Sequence, residues 1–246
     1  MKTLYIDCGL SGISGDMTMG ALIDLGADMA DIEAKIATLP IEPFTLKAEG
    51  IVKKGIYAKQ FTVVEKEEER ATNYRHFSTI KKMIEDAEAL SDRVKEISLQ
   101  IFQPIAEAEA KIHHQPMEKV HFHEVGAVDS IVDIIGTAIA LEQLEIERIV
   151  AAPVVVGSGT IHIDHGVYPI PAPATLEMLK EVPIQSTTIR GELTTPTGAG
   201  ILKGLVTEFG PMPSMTVEKI GYGSGQKDFP HHPNVLRVVL GESRSE

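Results

Sequence analysis

The sequence is poor in cysteine, in aromatic residues and in long apolar runs. Its single cysteine, Cys8, excludes an internal disulfide and favours a reducing compartment. There is no tryptophan, and aromatic residues make up only 5%, so the core must be built mainly from aliphatic side chains and methionine. No apolar stretch approaches the roughly 20 residues of a membrane span, and Asp7 interrupts the apolar run that a signal peptide would need. These absences predict a cytoplasmic protein.

Positive charge is scarce as well. The 23 Lys and Arg residues face 35 Asp and Glu residues, which gives a formal net charge of −12. A broad nucleic-acid footprint needs clustered Lys and Arg, and an anionic membrane surface also attracts positive charge. The balance therefore argues against nucleic acid and membrane as partners and is compatible with the binding of cations.

The length of 246 residues is sufficient for one domain with a substantial core. A single domain over 1–246 is predicted. The charge run at 65–70 is expected to be a solvated loop, and it places the one flexible point of the chain near 65–72.

The pattern of apolar residues predicts a mixed α/β (α+β) protein, with helices packed on a partly antiparallel mixed sheet. Apolar residues recur at helical spacing over 128–144. Runs over 43–50 and 55–65 read as two strands of a hairpin around Lys53, Lys54 and Gly55.

Three further elements are predicted from local signals. A helix over 92–112 is expected to be interrupted near Pro104. Residues 121–124 are expected to be extended, and 147–156 are expected to form one buried strand.

One short run, HFHEVGAVDSIVD at 121–133, contains two imidazoles and three carboxylates. His121 and His123 have the i, i+2 spacing that points side chains to one face of a strand, and Asp129 and Asp133 have the i, i+4 spacing of one helix face. Imidazole suits zinc, copper, iron and nickel, whereas carboxylates suit harder ions. Some carboxylates could support the ligands from outside, and Asp129 could instead cap the helix. The predicted metal-binding residues are His121, His123, Glu124, Asp129 and Asp133.

A second candidate site lies near the N-terminus. A strand, the glycine-rich loop 9–15 and a helix together offer backbone N–H groups to an anion. Asp7 and Asp16 are expected to face a cleft, where Asp often binds magnesium or manganese. The loop has neither the P-loop ending nor the dinucleotide pattern, so a tight glycine turn is the alternative.

Two more loops lead into helix N-termini. One contains His165 and precedes a helix over 173–180, and the other covers 192–200 and precedes a helix over 196–208. Such threonine-rich helix starts could hold a phosphate or a carboxylate, and simple capping is the alternative.

These residues give the chain a resemblance to a known family. It resembles the nickel insertion proteins, which complete the nickel-pincer nucleotide cofactor of lactate racemase. The block at 121–133 is the most specific, whereas Leu10 stands where the family usually has an aromatic residue. The blocks that carry the likeness are 5–26, 121–133, 165–175, 192–198, 221–225 and 233–237.

The resemblance implies a reaction: insertion of nickel into pyridinium-3,5-bisthiocarboxylic acid mononucleotide, with nickel–sulfur and nickel–carbon bonds. That is a nickel chelatase or cyclometallase of the lyase class. In complete members the insertion is coupled to hydrolysis of CTP to CMP and pyrophosphate, assisted by Mn²⁺ or Mg²⁺. A mixed imidazole and carboxylate site suits such a task because it must release its nickel ion.

The resemblance also implies partners. Family members continue after the block at 233–237 into a second domain associated with CTP and oligomerisation, whereas this chain ends nine residues after Arg237. CTP-dependent activity is therefore expected to need that domain, with lactate racemase as the downstream recipient.

The roles implied for single residues extend the two candidate sites. Asp7, Asp16 and His165 would line the catalytic cleft, and Ser14, Gly15, Thr195 and Thr197 would hold the phosphates of the nucleotide. Three alternatives stay open: a non-catalytic nickel carrier, a metal-dependent phosphohydrolase built on Asp7 and Asp16, and a structural partner for a separate second half.

Overall fold

The computed structural model describes residues 1–66, 75–123, 125–163 and 166–244. The strands are β1 (Lys2–Asp7), β2 (Phe44–Lys53), β3 (Ile56–Glu65), β4 (Arg75–His76), β5 (His121–Phe122), β6 (Arg148–Ala151), β7 (Gly157–Ser158), β8 (Thr160–Ile163), β9 (Gly166–Pro169), β10 (Gly191–Glu192), β11 (Glu208–Phe209), β12 (Met215–Ser224) and β13 (Val235–Ser243). The helices are α1 (Gly15–Asp24), α2 (Met29–Ile36), α3 (Phe77–Glu85), α4 (Asp92–His113), α5 (Val128–Gln143), α6 (Pro173–Met178) and α7 (Pro196–Leu205), with a 3₁₀ turn at Met117–Lys119.

A seven-stranded mixed sheet organises these elements, in the order β11-β6-β1-β13-β12-β3-β2. Strand β1 pairs parallel with β6 and antiparallel with β13, so the first and last strands lie side by side. The small two-stranded pairs are β4–β5, β8–β9 and β7–β10. The predicted α+β class with a partly antiparallel sheet is confirmed.

Alternation along β1 separates the two faces of the sheet. Leu4 and Ile6 are buried in the main core with the helices. Tyr5 belongs to a second, smaller apolar cluster with Val150 and Val239. Because successive side chains of a strand point to opposite faces, Asp7 shares the face of Tyr5. Helix α1 packs on β3, β12 and α5, which brings the start of α1 close to the start of α5.

The predicted hairpin around residues 53–55 is confirmed. Strands β2 and β3 form one continuous antiparallel ladder from Phe44↔Glu65 to Lys53↔Ile56. Lys54 (φ 47°) and Gly55 (φ 83°) both have positive φ. Two such residues match the right-handed twist of the flanking strands, which is why they close the hairpin.

The predicted interruption at Pro104 is wrong, because α4 runs unbroken through this residue. Proline removes the N–H that would bond the carbonyl four residues earlier, that of Gln100. Helix α7 packs against α4 at this point, and a Cβ on Gly204 would lie 2.1 Å from the Gln100 oxygen. The close approach of α7 buries the segment, and this packing holds the helix despite the lost hydrogen bond.

The strand predicted over 147–156 is shorter than expected, since β6 ends at Ala151. Pro153 cannot donate to a ladder, and Val154 forms only an isolated bridge with Ile184. Residues 67–72 of the predicted flexible point lie outside the described residues. None of the helices in the described ranges combines the length and apolar character needed to cross a bilayer.

Candidate functional site

Three helices begin around one cleft of about 350 Å³. Helices α1 and α7 present their first residues to it, α5 presents its first two turns, and β3 contributes a wall of three residues. The cleft therefore joins the glycine-rich loop to the carboxylates of the 121–133 run. Its lining residues are Ser14, Gly15, Asp16, Phe61, Thr62, Val63, Val125, Asp129, Ser130, Asp133, Glu192, Thr195, Pro196, Thr197 and Gln226.

The carboxyl group of Asp133 lies in surroundings that strongly disfavour its negative charge. Its Oδ1 is buried and has no hydrogen-bond partner among the described residues. Burial raises the pKa of the Asp133 carboxyl well above its usual value, and the negative charges of Asp16 and Asp129 raise it further. A divalent cation next to Asp133 would supply the missing partner and reduce the repulsion, and carboxylate oxygens are the ligands that hard ions such as Mn²⁺ and Mg²⁺ prefer.

Ser14 connects the start of α1 to the cleft carboxylates. Ser14 is the N-cap residue of α1, and its Oγ accepts a hydrogen bond from the Met17 N–H (3.4 Å). The same hydroxyl donates to Asp16 Oδ1 (2.5 Å). Burial raises the pKa of Asp16, and the Ser14 hydrogen bond acts in the opposite direction. Ser14 therefore both starts the helix and orients a cleft carboxylate.

Gly15 permits the close approach of the three helices. A Cβ at this position would lie 2.7 Å from Asp133 Oδ2 and 2.9 Å from Thr197 Cγ2. No real side chain fits at these distances, so the residue has a steric role in the cleft. The phosphate-binding role predicted for Gly15 stays a prediction.

Helix α7 begins with a side-chain cap. Thr195 Oγ1 accepts a hydrogen bond from the Gly198 N–H (3.2 Å), and Pro196 occupies the first turn. Thr197 is buried at the cleft wall. The capping alternative is thus observed for Thr195, which lines the cleft together with Pro196 and Thr197.

Asp7 does not lie in the cleft. It ends β1 and accepts two hydrogen bonds from Arg237 of β13, from Nε (3.0 Å) and Nη2 (2.5 Å). Its side chain is on the sheet face of Tyr5, opposite to the helices. The structure therefore does not bring Asp7 together with Asp16.

Cys8, the next residue, is buried and inert. Its Sγ donates to the Ala152 carbonyl (3.2 Å), and burial raises the pKa of the thiol to about 12. The thiolate form that binds metals is therefore not populated at neutral pH.

The two histidines of the 121–133 run have different neighbours. The ring of His121 contacts that of His76, with centroids 3.7 Å apart, whereas the ring of His123 lies 6.2 Å from that of His113. Strand β5 ends at Phe122, so the extended segment predicted over 121–124 does not continue as a strand at His123, and the i, i+2 rule does not apply to this residue. Glu124 lies outside the described residues.

The alternative role of Asp129 as N-cap is wrong. Ala127 is the N-cap residue of α5, and Asp129 lies in the first turn, where its Oδ1 accepts from the Ser130 N–H (2.9 Å).

A second, largely apolar pocket adjoins the cleft. His113 and His123 lie in its wall beside Tyr168 of β9. Glu192 and Pro196 line both spaces, so the two pockets are neighbours with a shared wall. The remaining lining residues are Glu109, Ile112, Ile163, Ala172, Pro173, Ala174 and Thr175.

The sequence did not indicate several of the residues near the two histidines. His76 lies on β4, Glu109 and His113 lie on α4 and Tyr168 lies on β9, and no local spacing indicates that they meet the 121–133 run. Only the excess of histidine near residue 120 hints at His113. Long-range packing, which a single sequence does not encode locally, brings them together.

The predicted metal site is not assembled by its described members alone. Within the four described ranges, no group of three or more His, Cys, Asp or Glu residues is placed to hold a metal ion. Glu124 and His165 lie outside the described residues. The metal-binding role of the 121–133 run and the catalytic role of His165 stay predictions.

The comparison with known families identifies the chain's relatives. Residues 4–246 match the family model described as "Nickel insertion protein". The chain belongs to the nickel insertion protein family. The resemblance in the sequence blocks is thereby confirmed over nearly the whole length of the chain.

Similar proteins carry a more specific name. The chain is 53% identical to the pyridinium-3,5-bisthiocarboxylic acid mononucleotide nickel insertion protein of Geobacillus kaustophilus, over 98% of the chain and 60% of that protein. It is 52% identical to the protein of that name from Staphylococcus epidermidis, over 100% of the chain and 60% of the relative. The one from Staphylococcus saprophyticus is 48% identical, over 96% of the chain and 59% of the relative. The chain thus spans about 60% of the length of these relatives. No solved structure matched it.

Proposed function

We propose that this chain holds pyridinium-3,5-bisthiocarboxylic acid mononucleotide and nickel during nickel insertion. The observation that carries the proposal is the shared wall of the two pockets, in which Glu192 and Pro196 line both spaces. A mononucleotide has an aromatic end and a phosphate end, and two adjoining pockets of different polarity suit such a molecule.

The apolar pocket suits the pyridinium ring. Tyr168 and Pro173 offer apolar surface to a flat ring, and the carboxylates of Glu109 and Glu192 complement its positive charge. His123 and His113 lie in the same wall, which would place imidazole nitrogens beside the thiocarboxylates that receive nickel.

The cleft suits phosphate bound through a divalent cation. The starts of α1 and α7 present the positive ends of two helix dipoles to the cleft. The carboxylates of Asp16, Asp129 and Asp133 would repel a phosphate in the absence of a cation. Their described positions do not form a three-residue metal site, so Mn²⁺ or Mg²⁺ would be held jointly by a cleft carboxylate and the phosphate. Such an ion neutralises phosphate charge when bound.

For the complete protein, we propose the wider scheme that the resemblance implies. Nickel insertion would be a lyase-class cyclometallation coupled to CTP hydrolysis, with Mn²⁺ or Mg²⁺. A second domain would contribute to CTP binding and oligomerisation, and lactate racemase in the cytoplasm would receive the product. The names of the relatives contain the same mononucleotide, which supports the substrate part of this scheme.

The phosphohydrolase alternative loses its geometric basis. It requires Asp7 and Asp16 in one cleft, and the structure places Asp7 on the opposite face of the sheet in an ion pair with Arg237. The nickel carrier alternative predicts no affinity for the mononucleotide, and this difference makes it testable.

The test is a calorimetric titration of the chain with the mononucleotide. We expect one molecule bound per chain. Glu192→Gln, which keeps the shape of the side chain but removes its charge, should weaken binding about tenfold, the equivalent of roughly 1.4 kcal/mol. Glu208→Gln on β11, far from both pockets, is the matched control. Absence of binding, or equal affinity in the two variants, would refute the proposal.

A further inference from the structure

Two imidazoles meet on a short β-ribbon outside both pockets. Strands β4 and β5 pair antiparallel, with His76 directly opposite His121. Their ring centroids are 3.7 Å apart and the planes are tilted by 49°. Directly opposed residues of an antiparallel pair have Cβ atoms about 4.5–5.5 Å apart, a spacing at which side-chain rotation alone brings both rings to one ion.

The core fixes the base of this ribbon. Phe122, next to His121, is buried against Phe102 and Phe77, with ring centroids 6.1 Å and 6.0 Å away. Since neighbouring side chains on a strand alternate, the inward Phe122 turns His121 outward, where it is exposed. Both imidazoles are thus held close together by a backbone that does not have to order on binding.

Strand β4 is held in place at its first residue as well. Arg75 forms an ion pair with Glu42 and donates through Nη1 to the Gly126 carbonyl (2.9 Å), which connects β4 to the segment after β5. His76 is the N-cap residue of α3, yet its side chain makes no capping hydrogen bond. No structural task of the helix therefore occupies the imidazole of His76.

We propose that His76 and His121 together bind one Ni²⁺ ion, in a two-imidazole site on the protein surface that is separate from the His113–His123 pair. Imidazole is a favoured nickel ligand, and two protein ligands leave positions for water, so the ion can be exchanged. The identity of the metal rests on the proposed function. The site itself needs neither the mononucleotide nor the cleft, and it pairs His121 with a residue 45 positions earlier in the sequence rather than with His123.

The test is a titration of the metal-free chain with Ni²⁺ alone, in wild type, His76→Gln, His121→Gln and the double variant. Loss of a residue that only orients a metal ligand typically weakens metal binding by roughly tenfold. Each single variant should weaken Ni²⁺ binding by at least this factor, because it removes a ligand itself. The double variant should lose the residual binding that each single variant keeps through its one remaining imidazole. His162→Gln is the matched control, because His162 is an exposed strand residue whose cross-strand partner is Val167.

A second measurement does not depend on the folding of the variants. Paramagnetic Ni²⁺ added to the wild type should broaden the imidazole proton signals of His76 and His121 before those of His113 and His162. Single-variant affinities equal to that of His162→Gln, a double variant that binds as tightly as wild type, or earlier broadening of the His113 signals would each overturn the proposal. None of these outcomes bears on mononucleotide binding, so failure here is distinguishable from failure of the proposed function.

Discussion

The carboxyl of Asp133 links the stability of the protein to its site. Its pKa is raised by burial and by the charges of Asp16 and Asp129. A carboxyl whose pKa is higher in the folded than in the unfolded chain loses its proton at a cost to the fold. The free energy of unfolding therefore falls as pH rises from about 3.9, the unfolded value, through the raised folded pKa, and the loss is complete above it.

Asp133→Asn should remove this cost. We expect the variant to have a higher melting temperature than wild type at pH 7, and the difference should disappear below the unfolded pKa of about 3.9. Thermal unfolding as a function of pH measures it. Asp129→Asn, at an exposed position, should shift the melting temperature in the same direction by less. A less stable Asp133→Asn protein at pH 7 would contradict this electrostatic account.

Gly15→Ala should overpack the junction of three helices. The new methyl group would lie 2.7 Å from Asp133 Oδ2, 2.8 Å from Asp133 Cβ and 2.9 Å from Thr197 Cγ2. We expect a loss of about 1–3 kcal/mol in the free energy of unfolding, measured with urea. Gly210→Ala, where nothing lies within 4 Å of the added Cβ, is the control. Equal losses in the two variants would show that the junction is not tightly packed.

The sequence predicted single residues well where a local rule was sufficient. The i, i+4 spacing placed Asp129 and Asp133 together at the cleft. The i, i+2 rule failed for His121 and His123 because strand β5 ends at Phe122, before it reaches His123. Their true neighbours, His76 and His113, depend on pairing between distant segments.

Helix starts form much of the cleft, so capping and binding are coupled in α7. Thr195→Ala removes the acceptor of the Gly198 N–H and should cost about 1 kcal/mol of stability. Ser91→Ala removes the equivalent cap of α4, away from the cleft, and should cost a similar amount. Only Thr195→Ala should also weaken mononucleotide binding in calorimetry. Equal mononucleotide affinity of both variants would show that the start of α7 does not take part in binding.

Elements with strong local signals were predicted nearly to their ends. The hairpin β2–β3 and helix α5 agree with their apolar periodicity and turn residues. Helix α4 shows the limit of such signals, because contact with Gly204 of α7 outweighs the proline at 104. Strand β6 shows the converse, since Pro153 shortens a run that apolar content alone had extended.

Local sequence patterns did not predict the order of the strands in the sheet. The last strand, β13, lies beside the first, β1, and this pairing joins the two ends of the described chain. It also places Arg237 against Asp7, which removes Asp7 from the cleft where its sequence position had suggested it. Contacts of such sequence separation have no signature in periodicity or turn chemistry.

Divalent cations should stabilise the whole fold through the cleft. An ion that binds only the folded chain adds about 2.7 kcal/mol at a concentration one hundred times its dissociation constant. We expect Mn²⁺ to raise the melting temperature of wild type and to leave that of Asp133→Asn nearly unchanged, as measured by calorimetric thermal unfolding. Subsequent removal of Mn²⁺ with a chelator should restore the original melting temperature. An equal rise in both proteins would place the ion elsewhere.

The central claim is that one chain holds nickel and the mononucleotide together. The most direct measurement is a calorimetric titration of Ni²⁺ into the metal-free chain, with and without saturating mononucleotide. The account predicts that the Ni²⁺ ion of the apolar pocket binds more tightly when the mononucleotide is present, because thiocarboxylates and imidazoles then share the ion, whereas nickel at His76 and His121 keeps its affinity. The same nickel affinity in both titrations would contradict it, since the two ligands would then occupy independent sites.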